Sequence, residues 1–269
     1  MAKIKTLVLT GYGINCEEET AYAFNRAGAD AEIIHINDLI ENRSILKSCH
    51  ILVFPGGFSY GDDTGSGRAL ANRLKNNFMD EIKDFIERDT LVLGICNGFQ
   101  VMVKLGILPY LEEETGKVEV ALEHNSNNRF QCRWVNLNVE KNSPSVFTRD
   151  IKNLYIPVAH GEGNFFAPPE TLEKIESLKL VTMKYSTPEG KPASGEFPYN
   201  PNGSMNDIAS ICSKNGRVMG MMPHPERGMF FTQRYDWTFL KEKFKREGMD
   251  LPVASDGMKI FTNAVDYFK

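Results

Sequence analysis

Four short apolar runs frame the first 110 residues: IKTLVLT (4–10), AEIIHI (31–36), HILVFPGG (50–57) and TLVLGIC (90–96). Helical stretches separate them. CEEETAYAFNRAG (16–28) carries acids in its first turn and Gly28 as a stop, and NGFQVMVKLG (97–106) stops at Gly106. RALANRLKNNFMDEIKDFIERD (68–89) reads as a helix broken near Asn76-Asn77. Strands that are apolar throughout have no wet face. They need cover on both sides, the condition of a parallel sheet with helices on each face. The expected fold class is therefore α/β, a mostly parallel open sheet, and its function should gather at the C-terminal ends of the strands.

Beyond residue 110 the pattern changes. KVEVALEH (117–124), RFQCRWVNLNVE (129–140) and LYIPVAH (154–160) read as strands joined by polar turns, an additional antiparallel portion. APPETLEKIESL (167–178) is a short helix and LVTMKYST (180–187) a strand. PEGKPASGEFPYNPNGS (188–204) is a long loop. DIASICSKNGRVMGMMPHPE (207–226) reads as a hairpin turning at Asn215-Gly216. YDWTFLKEKFKREG (235–248) and GMKIFTNAVDYF (257–268) are helical. No repeat or low-complexity linker interrupts the chain. It is expected to form one domain over 1–269, with a helical extension from about residue 229.

Composition narrows the function classes. A net charge of −4 over 269 residues, with no basic stripe, argues against nucleic-acid or membrane-surface partners. KEKFKREG (241–248) is the densest cationic stretch and reads as one face of a solvated helix. The five cysteines, Cys16, Cys49, Cys96, Cys132 and Cys212, show no Cys-x-x-Cys spacing, so neither a disulfide framework nor a zinc knuckle is expected. KTLVLT reads as a first strand, not a signal peptide, and no run is long enough to cross a bilayer. A reducing cytoplasm is the expected location.

Cys96 sits where an apolar strand runs into a helix through Gly-x-Cys-x-Gly, the thiol version of a nucleophile elbow. A helix N-terminus favours a thiolate, and the N–H of Asn97 can face a developing oxyanion. The same residues also fit a buried structural cysteine. A thiol nucleophile needs a base. Of five histidines, His35 and His50 lie in strands, His124 precedes a polar turn and His160 lies in AHGEG. His224 is the strongest candidate. Glu226, two residues on in an extended segment, can orient its ring, although a plain Pro-His-Pro turn fits the local sequence equally. In FPGGFSYGDD (54–63), Gly56 and Gly57 can present a bare N–H as a second oxyanion donor, or form an ordinary turn.

Taken together, PGGFSYGD, GICNGFQ, AHGEG, YNPNGS and MMPHPER resemble the class I glutamine amidotransferases, whose sheet is flavodoxin-like. More narrowly, they resemble the glutaminase subunit or domain of phosphoribosylformylglycinamidine synthase, of purine biosynthesis. The resemblance implies Cys96 as nucleophile, His224 as base and Glu226 as its orienting acid. It implies backbone donors at Gly57 and Asn97 for the oxyanion. Gln100, Gly161 and Glu162 would contact the substrate glutamine. It implies no cofactor or metal in this chain. ATP and magnesium would sit on a synthetase partner that turns formylglycinamide ribonucleotide into its amidine with ammonia released here.

The sequence agrees with that division. There is no Gly-x-x-x-x-Gly-Lys-[Ser/Thr] loop, and GYGINC (11–16) lacks the third glycine of a dinucleotide turn. LEEETGKVEVALEHNSNNRF (111–130) and the tail after Arg227 are longer than in short standalone subunits, while HNSNNRF and SPSVF are similar to the domain fused within large synthases. Whether the additional small subunit of short-type assemblies joins this chain stays open. Three rivals remain: another cysteine hydrolase on a similar sheet, a non-catalytic regulatory subunit, and a glutaminase serving a different acceptor. The first leaves Gln100 and Glu226 unexplained, and the second needs a broken triad.

Overall fold

A computed structural model describes residues 3–112 and 116–269 of the chain, so residues 113–115 of the long segment 111–130 lie outside the described residues. The main sheet has nine strands. In chain order they are β1 (Lys5–Thr10), β2 (Asp30–His35), β3 (Ile51–Phe54), β4 (Leu91–Ile95), β6 (Gln131–Val139), β7 (Asn153–His160), β9 (Val181–Ser186), β10 (Ile208–Cys212) and β11 (Val218–Met221). Their spatial order is β2-β1-β3-β4-β11-β10-β9-β6-β7. From β2 to β11 neighbouring strands are parallel, and from β11 to β7 antiparallel. The apolar runs account for the first half. Every residue of β3 and β4 is buried, as strands covered on both faces must be.

The covering helices are α1 (Glu17–Ala27), α3 (Arg68–Glu87), α4 (Asn97–Leu105) and α7 (Met258–Asp266), with a short α2 (Ile36–Glu41) and α5 (Pro169–Ser177). The expected break at Asn76-Asn77 is absent, and α3 runs unbroken for 20 residues. Its buried stripe of Leu70, Leu74, Phe78, Ile82 and Phe85 keeps helical spacing through that point. Asn77 lies outside the stripe and bonds back to the Arg73 carbonyl at 2.7 Å. Such a back-bond leaves the helix ladder intact.

Two elements of the second half differ from expectation. The strand expected at 117–124 is confined to β5 (Ala121–His124). It pairs antiparallel with β8 (Glu162–Phe166), which the sequence did not announce, as a separate two-stranded sheet. The C-terminal helices differ from each other. α6 (Trp237–Arg246) buries no residue, as its charge run suggested. α7 buries Ile260, Phe261, Ala264 and Val265, and Phe261 meets Phe24 of α1 edge-on at 5.0 Å. No helix among the described residues is long and apolar enough to cross a membrane.

Candidate active site

β4 and β11 lie side by side and parallel, with Ile95 opposite Met221. The two segments leaving their C-terminal ends are therefore adjacent, although some 125 residues separate them in the chain. The Cys96 N–H donates to the Met221 carbonyl at 2.7 Å, and the His224 N–H donates to the Pro157 carbonyl of β7 at 2.8 Å. These two bonds fix the backbones that carry the thiol and the imidazole.

Cys96 occupies the elbow expected from its glycines. Its φ of 50° and ψ of −106° lie in a region a residue with a side chain enters only at a cost of roughly 1–3 kcal/mol. Gly98 explains how α4 can start so close to the sheet: a Cβ there would overlap the Phe54 carbonyl at the end of β3. The turn aims the buried thiol at the Ala159 carbonyl, 3.7 Å away. Asn97 opens α4. Its side-chain oxygen accepts from the Ser59 N–H at 3.3 Å, and its amide donates to Asp62 at 3.2 Å and to Gln100 at 3.1 Å.

His224 follows β11, and Glu226 lies in the turn Pro225–Arg227. Both are buried, with Nδ1 of the ring 2.5 Å from Oε1 of the carboxylate. Burial disfavours a charged ring. The attraction of Glu226 first, then of Cys96 and Cys16, outweighs it and holds His224 well above the usual histidine value. Nε2 of His224 and Oε2 of Glu226 are buried without a hydrogen-bond partner among the described residues.

The other histidines have different surroundings. His160 is wholly buried, and burial followed by the charge of His224 pushes it down to about 3. It stays neutral, with Nδ1 on the Asn125 side-chain oxygen at 3.1 Å. His35 caps α2 by accepting from the Asn37 N–H, and His50 accepts from the Lys5 N–H. His124 is exposed, 3.7 Å from Glu162.

Gly57 lies after β3 and bridges to Ile14 in the turn after β1. Gln100 is buried. Its amide donates to the Glu162 carbonyl at 2.5 Å and its oxygen accepts from Asn97. One N–H and one lone pair remain for a ligand. Gly161 and Glu162 line a cavity of about 480 Å³ together with Phe58, Asp62, Ser66, Arg129 and Phe130. The YNPNGS segment fixes this wall from behind. Asn202 donates to the Gly163 carbonyl at 2.8 Å, and the Ser204 hydroxyl accepts from the Phe165 N–H at 3.0 Å. A larger cavity of about 610 Å³ between α6, α7 and residues 149–151 holds none of the expected site residues.

Sequence reasoning missed several neighbours. Asp62 accepts from Ser66, Gly67 and Asn97, and burial raises its carboxyl above the usual range against the pull of those bonds. Asp62 and Glu162 are two acids, and Arg129 a cation, on one cavity wall, a set that suits the ammonium and carboxylate of an amino acid. Only the end of FPGGFSYGDD and the Arg in HNSNNRF hinted at them. Cys16 was also missed. A donor atom of Cys16, one of His224 and one of Glu226 lie within 4.8 Å of one another, a metal-like spacing. However, the Arg227 guanidinium donates to the Cys16 sulfur at 3.0 Å. A cation there would face a fixed positive charge, so the set fits a hydrogen-bonded cluster better than a metal site.

Comparison with known proteins agrees with this geometry. The model of the CobB/CobQ-like glutamine amidotransferase domain matches residues 3–268. Phosphoribosylformylglycinamidine synthase subunit PurQ of Methanococcus maripaludis is 49% identical over 265 residues, covering 98% of this chain and 97% of that one. The subunit of the same name from Dehalococcoides mccartyi is 45% identical over 267 residues, covering 99% and 98%. Among solved structures, PurLQS from Thermotoga maritima superposes with a TM-score of 0.71 at 27% identity, covering 100% of both chains. Near-complete coverage at almost half identity leaves no large segment outside the match, and the chain belongs to the CobB/CobQ-like glutamine amidotransferase family, among the PurQ-type subunits of phosphoribosylformylglycinamidine synthase.

Proposed function

We propose that the chain hydrolyses glutamine at Cys96 and supplies the ammonia to a synthetase subunit that amidates formylglycinamide ribonucleotide with ATP and magnesium. The observation that carries the residue assignment is the buried His224–Glu226 pair beside a strained cysteine at the joined ends of β4 and β11. The Cys96 sulfur attacks the side-chain amide carbon of glutamine, and the N–H groups of Gly57 and Asn97 receive the oxyanion. Protonated His224 gives its proton to the departing nitrogen, so the C–N bond breaks, ammonia leaves and a glutamyl thioester remains on Cys96. Water then attacks the thioester. His224 takes its proton, the C–S bond breaks, and glutamate leaves. Glu226 holds Nδ1 and balances the imidazolium.

Substrate selection falls to the adjoining cavity. Asp62 and Glu162 are suited to the α-ammonium, Arg129 to the α-carboxylate, and Gln100 with Gly161 to the intervening chain. The chain works as one domain, in the cytoplasm, where its thiols stay reduced, and needs no cofactor of its own. A small subunit beside the synthetase is compatible with this reading but not required by it.

Assembled with the synthetase, a Cys96→Ala variant should lose synthesis from glutamine and keep synthesis from added ammonia. Steady-state rates with each nitrogen source decide it. Loss of both activities in an intact complex would refute the two-site reading.

A further inference from the structure

The mechanism leaves one buried thiol unused. Cys16 lies just before α1, a whole domain of sequence away from His224, yet the two touch the same small volume. Its N–H and that of Asn15 donate to the Gly56 carbonyl at 3.3 and 3.4 Å, tying the segment before α1 to the turn after β3. A Cβ on Gly56 would stand 2.8 Å from Cε1 of His224 and 3.1 Å from the Cys16 sulfur. The glycine backbone is thus the only thing that fits between sulfur and ring. Sγ of Cys16, a ring nitrogen of His224 and a carboxylate oxygen of Glu226 are mutually within 4.8 Å.

The sulfur is held still. It accepts from Nη2 of Arg227 at 3.0 Å, and its S–H donates to the Asn15 side chain at 3.3 Å. Arg227 is itself anchored by Glu19 of α1 at 3.5 Å. Both polar capacities of the thiol are therefore used, and burial, the largest influence on it, raises its value, so Cys16 stays a neutral thiol. A neutral, fixed sulfur beside the His224–Glu226 bond keeps water from that bond and presents a polarisable lone pair to the imidazolium.

We propose that Cys16, braced by Arg227, is a positioning residue for His224, fixing the ring and favouring its protonated form without touching substrate. The proposal rests on the reading of His224 as the proton carrier. The groups facing that ring are Glu226, Cys96 from the elbow, Cys16, Arg227 and neutral His160 from β7. With the other four unchanged, losing Cys16 lowers the pH at which the imidazolium gives up its proton.

The test uses the full chain with its synthetase subunit and compares wild type, Cys16→Ala, Cys16→Ser and His224→Ala. Glutaminase kcat and KM are measured across pH 5 to 9, with thermal unfolding of each variant alongside. In Cys16→Ala, kcat should fall roughly tenfold, the effect of one hydrogen bond to a charged group. KM should hardly move, and the alkaline limb of the pH profile should shift to lower pH. Cys16→Ser can accept from Arg227 and donate to Asn15, so it should recover most of kcat and return the limb towards wild type. An unmoved limb in Cys16→Ala, or Ser as impaired as Ala, overturns the positioning role while leaving the His224 reading intact. Activity retained in His224→Ala overturns the reading beneath it. A lowered melting temperature alone, with kcat and the limb unchanged, makes Cys16 a packing residue and also overturns the proposal.

Discussion

Glu226→Gln removes one charge from a fully buried pair and keeps the shape of the side chain. At the 2.5 Å separation of Nδ1 and Oε1, two unit charges at an effective dielectric near 20 attract by about 6–7 kcal/mol. That figure is an upper bound for the pair. Both charges are spread over several atoms, and withdrawing them from water cancels much of the gain. About 3 kcal/mol is then left in favour of the imidazolium that protonates the leaving ammonia. At 1.4 kcal/mol per tenfold, turnover in Glu226→Gln should fall roughly one to two hundredfold. His224→Ala should cost more, because the proton carrier itself is gone. The pH dependence follows from the raised value of His224. Without the carboxylate the ring loses its proton at lower pH, so the alkaline limb of kcat/KM moves down the scale. Steady-state glutamate release across pH, in the complex with the synthetase, measures both effects. A kcat within twofold of wild type together with an unshifted alkaline limb would refute the coupling.

Two further outcomes test the cavity and the fold. Arg129→Ala and Glu162→Gln should each raise the KM for glutamine roughly tenfold, the loss of one charge-assisted hydrogen bond, with kcat little changed; an effect on kcat alone would place them outside the substrate wall. Phe261→Ala should destabilise the chain by about 3–5 kcal/mol and lower its melting temperature by roughly 10 °C, since the ring is fully buried against Phe24. A thermal scan showing no loss would mean that α7 is not part of the core.

The sequence revealed the parallel half of the sheet because β1, β3 and β4 are short apolar runs with helices between them. Burial on both faces leaves that mark in any chain that has it. It also revealed the elbow, since Gly94 and Gly98 flank a cysteine whose backbone they allow to pack tightly. β8 was hidden because Glu162 and Gly163 break the apolar pattern, and its pairing with β5 depends on the YNPNGS loop lying behind it. The false break in α3 came from reading Asn76-Asn77 by propensity, whereas tertiary burial on either side decided the helix. Asp62 sits at φ 55° in a tight turn, where nothing in the residue type indicates a cavity wall. The nearness of Cys16 to His224 had no local signal. It arises only once β1, β3 and β11 have brought their C-terminal ends together.

The contact between α1 and α7 also bears on the order of events during synthesis. α1 emerges among the first residues and seats Cys16 and Glu19 beside Arg227, but the helix that backs it ends at Asp266. A ribosome-bound chain holds Cys96 long before it holds β11, and β11 before the support for α1. Glutamine therefore meets a nearly finished protein or an inert one. Nascent fragments expose the thiol without its base, and they release no ammonia while the rest of the chain is being made.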